Sequence, residues 1–194
     1  PLNKCGRRII RKMNKVIRTY GLFGEGDRIC VGVSGGKDSL TLLHLLLDHR
    51  RFYPVNYDIE AVHVVSDFNP RAAEIRDYLS DMFEREGIGH TFLDIEVTVD
   101  RDGNRADPSC FWCSWKRREA LFRHTADNGF TKLALGHHND DVAETTLLNL
   151  VYHGSLDTIL PTRPFFDGVF DLIRPLFYVR ERQLAVYARL AEFQ

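Results

Sequence analysis

The segment RICVGVSGGKDSLTLLHLLL, residues 28–47, decides the fold of this chain. Residues 28–33 are apolar and partly β-branched, which predicts a short buried strand. Residues 40–47 are rich in leucine and predict a largely buried helix. The polar loop 34–39 joins the two, so the segment has the strand-loop-helix order of a β-α-β unit.

Strand and helix patterns continue to alternate on the C-terminal side of this segment. Predicted strands cover residues 58–65, about 90–97 and 132–135, and predicted helices cover about 70–87 and about 113–128. Asn128 and Gly129 end the second of these helices, and residues 98–109 form a long polar connection. This order predicts an α/β fold with a doubly wound parallel sheet and helices on both faces. Ligands of such sheets bind beyond the carboxyl ends of the strands.

Both ends of the chain are predicted to be helical. Residues 3–20 combine an apolar face with a basic face and contain no acidic residue. We therefore expect residues 1–26 to form an extra N-terminal basic helix and turn, and residues 27–194 to form the main domain. Residues 179–194 form an amphipathic pattern with no stop signal after it, so we expect the natural chain to continue beyond Gln194.

Composition narrows the class of protein. The chain has 194 residues, of which 44% are hydrophobic and 27% charged, values typical of a soluble globular domain. It lacks both an apolar run of about 20 residues and a signal-peptide pattern, which predicts a cytoplasmic protein without membrane contact. The net charge of −1 implies that any nucleic-acid site uses local cationic patches.

The loop at residues 34–39, Ser-Gly-Gly-Lys-Asp-Ser, has the chemistry of a phosphate site. Gly35 and Gly36 allow backbone amides to approach an anion at a helix N-terminus, where the helix dipole is favourable. Lys37 adds a cation, and Ser34 and Ser39 add hydroxyl donors. Asp38 is expected to be either a helix cap or a metal ligand.

This loop is not a Walker A motif, because Val31 replaces its first glycine and Asp38 follows the lysine. The loop instead resembles the SGGxDS signature of the PP-loop ATP pyrophosphatases, whose fold is adenine nucleotide α-hydrolase-like. That resemblance implies cleavage of ATP to AMP and pyrophosphate, with adenylation of an acceptor. The alternative is a glycine-rich turn that binds no ligand.

Two cysteines, Cys110 and Cys113, stand at the predicted start of a helix, where the helix dipole favours the thiolate form that binds metals. Two thiolates alone do not complete a metal site. By spacing alone, the pair fits zinc, a redox dithiol, an iron–sulfur cluster or an unliganded pair.

A second acidic motif, Gly-His-His-Asn-Asp-Asp at residues 136–141, follows the strand at 132–135. Asp141, with Asp140 as the second choice, is placed to hold Mg²⁺ against ATP phosphates. The alternative is a helix N-terminus capped by Asn139, with both aspartates favoured by the helix dipole. His137 and His138 are better explained as hydrogen-bonded structural residues, and we assign them no catalytic role.

Together, the phosphate loop, the cysteine pair and the GHxxDD motif at 136–141 resemble the TtcA-type tRNA 2-thiolation family over most of the chain. The resemblance implies a 4Fe-4S cluster held by Cys110, Cys113 and a third, C-terminal cysteine, with one iron free to carry sulfur. Because no cysteine follows Cys113, we expect that ligand beyond Gln194. Zinc is the rival metal at this pair.

The resemblance also implies adenosine contacts at the end of the second strand, by Val64 and Asp67, with Ser66 between them. Gly136 joins the nucleotide-binding set with Asp141. A plain loop after the strand is the alternative explanation for Val64 and Asp67.

Cations and an aromatic residue, namely Trp115, Lys116, Arg117 and Arg118, follow the cysteine pair. They could contact RNA phosphates and an extruded base, whereas a solvated helix face is the alternative. Arg117, like Lys37, is expected to stabilise negative charge that develops on phosphate during the reaction.

We therefore predict an ATP-dependent tRNA sulfurtransferase that adenylates the 2-carbonyl of a pyrimidine base and replaces its oxygen with sulfur. The expected cofactors are ATP, Mg²⁺ and a 4Fe-4S cluster. The expected partners are tRNA and a sulfur donor such as a cysteine desulfurase, and a homodimer is left open. Two alternatives stand: a PP-loop enzyme that adenylates a small molecule, and a non-catalytic nucleotide- or zinc-binding module.

Overall fold

The computed structural model describes residues 4–98 and 109–193 of the chain. The strands are β1 (Arg28–Gly32), β2 (Asp58–Ser66), β3 (His90–Ile95), β4 (Lys132–Ala134), β5 (Thr162–Phe165) and β6 (Phe170–Ile173). The helices are α1 (Lys4–Tyr20), α2 (Lys37–Phe52), α3 (Ala72–Glu86), α4 (Cys110–Asp127), α5 (Asn139–His153) and α6 (Glu181–Leu190). Most of the polar connection predicted at 98–109 lies outside the described residues.

The strands form one sheet in the order β3-β2-β1-β4-β6-β5. All neighbouring strands are parallel except β5 and β6, which pair as an antiparallel hairpin. The predicted doubly wound α/β fold is thus confirmed, and the hairpin is an addition that the sequence patterns did not predict. β5 has only four residues and includes Pro164, a residue that sheets tolerate at their edges.

Helices cover both faces of the sheet, as predicted. The side chains of β1 alternate between the two faces, so that Ile29 and Val31 face one core and Cys30 the other. The larger core includes buried residues of α1, α2, α3 and α6. The smaller core lies between the sheet and α4, which supplies Leu121.

Two helix boundaries differ from the sequence prediction. α4 begins at Cys110, which confirms that the cysteine pair stands at the start of a helix but is three residues before the start at about 113 given by the apolar pattern. The Ser109 hydroxyl accepts a hydrogen bond from the Trp112 amide at 3.1 Å and caps the helix there. α6 begins at Glu181 and ends at Leu190, so it is shorter than the predicted 179–194. The cysteine pair consequently lies inside the first turn of α4.

α1 is part of the main hydrophobic core. Its apolar face is buried, with Ile9, Met13 and Val16 at 0% exposure, and it packs against α2 and α6. Its basic face points outward, in agreement with the predicted amphipathic pattern. The division of the chain at residue 26 stays a prediction.

α5 differs from the other helices because none of its residues is buried. Its apolar side chains Leu147, Val151 and Tyr152 are 60–76% exposed. Hydrogen bonds hold it instead, for example from the Asn149 side-chain amide to the Asp157 carbonyl at 2.7 Å. Within the described ranges, no helix has the length and apolar character needed to cross a bilayer.

The burial of α1 leads to a stability prediction. Met13→Ala should lower the free energy of unfolding by about 2–5 kcal/mol, because it removes a fully buried side chain and leaves a cavity. Arg11→Ala, on the exposed face of the same helix, is the control and should change it by less than about 0.5 kcal/mol. Urea unfolding measures both. Equal effects of the two substitutions would show that α1 is not packed in the core.

Candidate active site

A cavity of about 720 Å³ lies at the carboxyl ends of β1, β2 and β4. Its walls come from the loop after β1, the end of β2, the first turns of α4 and the segment after β4. The predicted site residues that line it are Ser34, Asp38, Ser39, Val64, Cys110, Cys113, Arg117, Gly136 and Asp141. The structure therefore brings the phosphate loop, the acidic motif and the cysteine pair to one cavity.

Hydroxyl groups hold the phosphate loop in a tight turn. The Ser34 amide donates to the Ser39 hydroxyl at 3.1 Å, and that hydroxyl donates to the Gly36 carbonyl at 2.9 Å. Gly36 is the N-cap of α2 and has no side-chain cap, so the prediction that Asp38 could cap this helix is wrong. The loop amides are left at the helix N-terminus, where an anion is favoured.

Two glycines allow close packing around the loop. Gly35 has a φ of +85°, a left-handed conformation that favours glycine. Gly136, after β4, lies against the start of α2: a Cβ atom there would be 3.1 Å from the Asp38 carbonyl carbon and from the Ser39 amide nitrogen. The loops after β1 and β4 are thus in direct backbone contact.

Lys37 does not line the cavity but forms ion pairs beside it. Its ammonium group lies 3.1 Å from Asp38 Oδ2 and 2.9 Å from Glu181 Oε1. The bond to Glu181, at the start of α6, is the main cause of its raised pKa, so the group stays protonated. Lys37 must exchange Glu181 for phosphate if it is to contact a nucleotide.

Asp141 has a structural contact as well as a place in the cavity. Its Oδ2 accepts a hydrogen bond from the His138 amide at 2.7 Å, and His138 Nδ1 accepts one from the Asp141 amide at 3.4 Å. This reciprocal pair is a capping box for α5. The N-cap is His138, so the suggested cap by Asn139 is wrong, while the structural role expected for His138 is confirmed.

Two polar atoms in residues of the cavity wall are buried and lack a hydrogen-bond partner within the described residues. They are Asp38 Oδ1 and His137 Nδ1. Burial is the main cause of the lowered pKa of His137, and the cation of Arg174 adds to it, so this ring is neutral at pH 7. Unsatisfied polar atoms of this kind fit a cavity that receives a polar ligand.

The cysteine pair presents one exposed and one buried thiol to the cavity. Cys110 is exposed, whereas Cys113 is buried and its sulfur lies 3.7 Å from the Ser66 hydroxyl. Cys5 and Cys30 do not line this cavity, as expected from their positions in α1 and β1. Burial raises the pKa of the Cys30 thiol to about 12, which disfavours a ligand role.

The donor set fits a metal cluster in part. Two thiols in the first turn of a helix suit two coordination positions of a 4Fe-4S cluster or of zinc. Among residues 4–98 and 109–193, no group of three Cys, His, Asp or Glu side chains could hold a metal ion. The described residues therefore provide the pair but not a complete ligand set.

The two residues expected to contact adenosine differ in position. Val64 lines the cavity, whereas Asp67 does not. The Asp67 carboxylate accepts hydrogen bonds from the Val97 amide at 2.7 Å and from both the amide and the hydroxyl of Thr98. Burial by itself would raise the pKa of Asp67, but these hydrogen bonds outweigh it, so the pKa is lowered. Asp67 thus joins the loops after β2 and β3.

Sequence reasoning missed His63, Glu181 and the Ser66 contact. His63 lines the cavity from inside β2, is 5% exposed, and its Nδ1 lies 2.7 Å from the Val33 carbonyl. Burial lowers its pKa. A histidine inside the apolar run 61–65 of β2 was the sequence pattern that could have indicated His63. The contact of Glu181 with Lys37 joins residues 144 positions apart, so no local sequence pattern indicates it.

The cations predicted next to the cysteine pair divide into two groups. Arg117 and Arg118 line the cavity. Lys116 lies over the ring of Trp112, 5.3 Å from its centroid, and Trp112 stacks on Trp115 with ring centroids 5.2 Å apart. α4 thus has two arginines at the cavity and a stacked aromatic pair beside them.

Comparisons with known proteins agree with this arrangement. The family model ATP_bind_3, a PP-loop domain, matches residues 6–194. The chain is 40% identical over 194 residues to the tRNA-cytidine(32) 2-sulfurtransferase of Methylococcus capsulatus and 38% identical to that of an Anaeromyxobacter species. The alignments include 98% and 99% of this chain. They include 66% and 63% of the two relatives, so the chain spans just under two thirds of their length.

A solved structure has a similar fold. The U34-tRNA thiolase NcsA from Methanococcus maripaludis, solved with its 4Fe-4S cluster, aligns with a TM-score of 0.75 and 23% sequence identity. The alignment covers 99% of this chain and 66% of that protein. At 23% sequence identity, this similarity shows that the two proteins share a fold.

The contact between Gly136 and the phosphate loop can be tested. Gly136→Ala should lower the free energy of unfolding by about 1–3 kcal/mol, because the new methyl group must displace the backbone of α2. Gly24→Ala is the matched control, since a Cβ at Gly24 meets no atom within 4 Å. Urea unfolding compares the two. If Gly136→Ala were as mild as the control, the close approach would be refuted.

Proposed function

Because this chain belongs to the PP-loop domain family, we propose that it binds ATP and forms the catalytic part of a tRNA 2-sulfurtransferase, with cytidine 32 as the modified base. The observation that carries the proposal is the shared cavity: Ser34, Ser39 and Asp141 line the same cavity as Cys110 and Cys113. An adenylated base could thus meet a sulfur carrier without leaving the site. The names of the curated relatives support the substrate.

In this proposal the loop at residues 34–39 binds the phosphates of ATP. The backbone amides and the N-terminus of α2 provide fixed donors, and the Ser34 and Ser39 hydroxyls can turn from each other toward phosphate oxygens. Lys37 exchanges Glu181 for phosphate, and Arg117 stabilises the charge that develops as pyrophosphate leaves.

The carboxylates of Asp38 and Asp141 are suited to hold Mg²⁺. Mg²⁺ is often bound by one or two carboxylates together with substrate phosphates, so a complete protein cage is not required. The unpartnered Asp38 Oδ1 supports this role. When bound, Mg²⁺ would neutralise phosphate charge and orient the ATP chain.

The reaction we propose has two steps. First, the 2-oxygen of the base attacks the α-phosphorus of ATP, the bond to the bridging oxygen breaks, and pyrophosphate leaves. Second, a sulfur nucleophile attacks carbon 2, the carbon–oxygen bond breaks, and AMP departs with the original base oxygen. A 4Fe-4S cluster on Cys110 and Cys113 would supply the bound sulfur, with zinc as the rival metal.

The partners follow from this chemistry. tRNA is the substrate, and a sulfur donor such as a cysteine desulfurase must replace the sulfur consumed in each cycle. The Trp112–Trp115 stack and Arg118 beside the cavity are suited to an extruded base and its phosphate. Burial lowers the pKa of both His63 and His137, so the two rings are neutral at pH 7. The cations available to an RNA phosphate in this cavity are therefore Arg117 and Arg118.

The proposal is tested by product formation from ATP. Purified protein with reconstituted metal, Mg²⁺, a sulfide source and α-labelled ATP should release AMP and pyrophosphate only when unmodified tRNA is present. The tRNA should gain 2-thiocytidine, measured by nucleoside mass spectrometry. Pyrophosphate release with a small-molecule acceptor and not with tRNA would refute the substrate assignment. An iron, sulfide and zinc assay on the same sample identifies the metal.

The double role of Asp141 gives a specific prediction. Asp141→Asn keeps an oxygen that can accept from the His138 amide but loses the charge, so stability should change by less than about 1 kcal/mol while ATP turnover falls by about 100-fold or more. Asp141→Ala removes the capping group too, so it should lower both turnover and stability. If Asp141→Asn turned over ATP at the wild-type rate, Asp141 would have only its structural role as a capping residue of α5.

The cysteine pair should be required for the second step and not for the first. Cys110→Ser with Cys113→Ser should retain tRNA-dependent pyrophosphate release but form no thiolated base, because the phosphate loop is intact while the thiols are absent. Cys30→Ala is the control, since Cys30 lies in β1 and lines neither this cavity nor the surface of α1. Thiolation by the double variant would contradict the assignment of this pair.

A further inference from the structure

A second cavity, of about 790 Å³, lies between α1 and α6, which pack on the opposite face of the sheet from α4 and its cysteine pair. Among the described residues, nine line it: Lys4, Cys5, Arg8, Lys12, Arg180, Arg182, Gln183, Val186 and Leu190. Five of these are cationic and none is acidic. We call this feature the cationic groove.

Within the part of the chain that the structure describes, the cations of the groove have no ion-pair partner. No carboxylate in residues 4–98 or 109–193 forms a salt bridge with Lys4, Arg8, Lys12, Arg180 or Arg182. Elsewhere on the surface several cations face carboxylates, as in the Arg76–Asp94 contact at 2.8 Å and the Lys132–Asp171 contact at 2.6 Å. A concave surface that gathers unpaired cations, on a chain whose net charge is −1, indicates an anionic ligand.

Lys12 shows the repulsion within this group. Its ammonium group donates to two neutral acceptors, the Tyr178 carbonyl at 2.9 Å and Gln183 Oε1 at 2.7 Å. Burial, followed by the nearby Arg180 and Arg182, lowers its pKa, and the Asp140 carboxylate acts in the opposite direction. The fold thus holds like charges close together, an arrangement that an added polyanion would relieve.

The groove lies next to the candidate active site. Arg180 and Arg182 flank Glu181, whose carboxylate contacts Lys37 at 2.9 Å and whose amide donates to Asp140 at 2.8 Å. A ligand bound along α1 would therefore lie close to Lys37, on the face of the sheet opposite α4.

We propose that the cationic groove binds the sugar-phosphate backbone of the tRNA substrate and positions the target base at the cavity. This inference rests on the proposed function and adds to it the surface that recognises the RNA. Lys4, Arg8 and Lys12 recur every four residues along one helix, so successive cations are about 6 Å apart. A row of this kind matches a strand of phosphates better than a single small anion.

An anionic membrane is the less suitable partner. A helix that binds a bilayer surface inserts an apolar face beneath its cations. In α1 that face is already occupied, because Ile9, Met13 and Val16 are fully buried against the core. The exposed apolar side chains of the groove are Val186 and Leu190 of α6, two residues and not the continuous apolar face of a membrane-binding helix.

The test compares two charge-matched double variants of the protein. Arg8→Gln with Arg182→Gln removes two cations of the groove. Arg50→Gln with Arg85→Gln removes two exposed cations without ion pairs from the last turns of α2 and α3, outside the groove. Binding of unmodified tRNA is measured by fluorescence anisotropy at several salt concentrations, and thermal unfolding verifies that both variants fold.

The groove variant should bind tRNA about tenfold more weakly than the control variant. A plot of the logarithm of its association constant against the logarithm of the salt concentration should have a slope smaller in magnitude by about 1.5, because two phosphate contacts are lost. Its KM for tRNA in the pyrophosphate assay should rise while kcat at saturating tRNA is unchanged. Equal affinity of the two variants would overturn the inference but leave the proposed function intact.

The failure of the proposed function gives a different result. In that case wild-type protein shows no tRNA-dependent pyrophosphate release, whatever its affinity for RNA. Binding of the wild type to phosphatidylserine vesicles but not to tRNA, with loss in the groove variant, would assign the groove to a membrane and overturn the inference.

Discussion

The backbone contact between Gly136 and the first turn of α2 is the constraint on which the site depends. β1 and β4 are neighbours at the point where the strand order reverses, so the loops that follow them must pass each other. Gly136 has no side chain, so the segment after β4 can lie directly against the backbone of α2. A Cβ atom at Gly136 would be only 3.1 Å from the Asp38 carbonyl carbon. This approach brings Asp38 and Asp141 to the same cavity, where under the proposed function both carboxylates would face the phosphates of ATP.

A line of charged groups extends from this contact. Asp38 pairs with Lys37, Lys37 with Glu181, and the Glu181 amide binds Asp140 at the start of α5. The polar contacts therefore connect α2, α5 and α6 directly at the phosphate loop. Under the proposed function, phosphate in the loop would compete with Glu181 for Lys37, and this competition would couple nucleotide binding to the position of α6. The cationic groove, which includes residues on both sides of Glu181, would be affected by the same exchange.

The two sides of the cavity have different chemistry, and this difference suits a two-step reaction. One side provides amides, hydroxyls and carboxylates at helix N-termini, which bind phosphate and metal. The other provides two thiols and two arginines on α4, with Ser66 in contact with the buried thiol. An acceptor activated on the first side has only to reach the second side of the same cavity. Several side chains serve structure and site together, as Asp141 does in the capping box of α5.

Local chemistry made much of this predictable from sequence. Apolar strands, a leucine-rich helix and paired glycines determined the α/β fold and the phosphate loop, because each signal lies within a few consecutive residues. The tertiary structure alone decided which distant groups meet: Glu181 at Lys37, His63 in the cavity wall, and Arg182 opposite Arg8. The β5–β6 hairpin likewise depends on pairing with the sheet edge. Such contacts join residues far apart in the chain, and only the packing of the helices on the sheet brings them together.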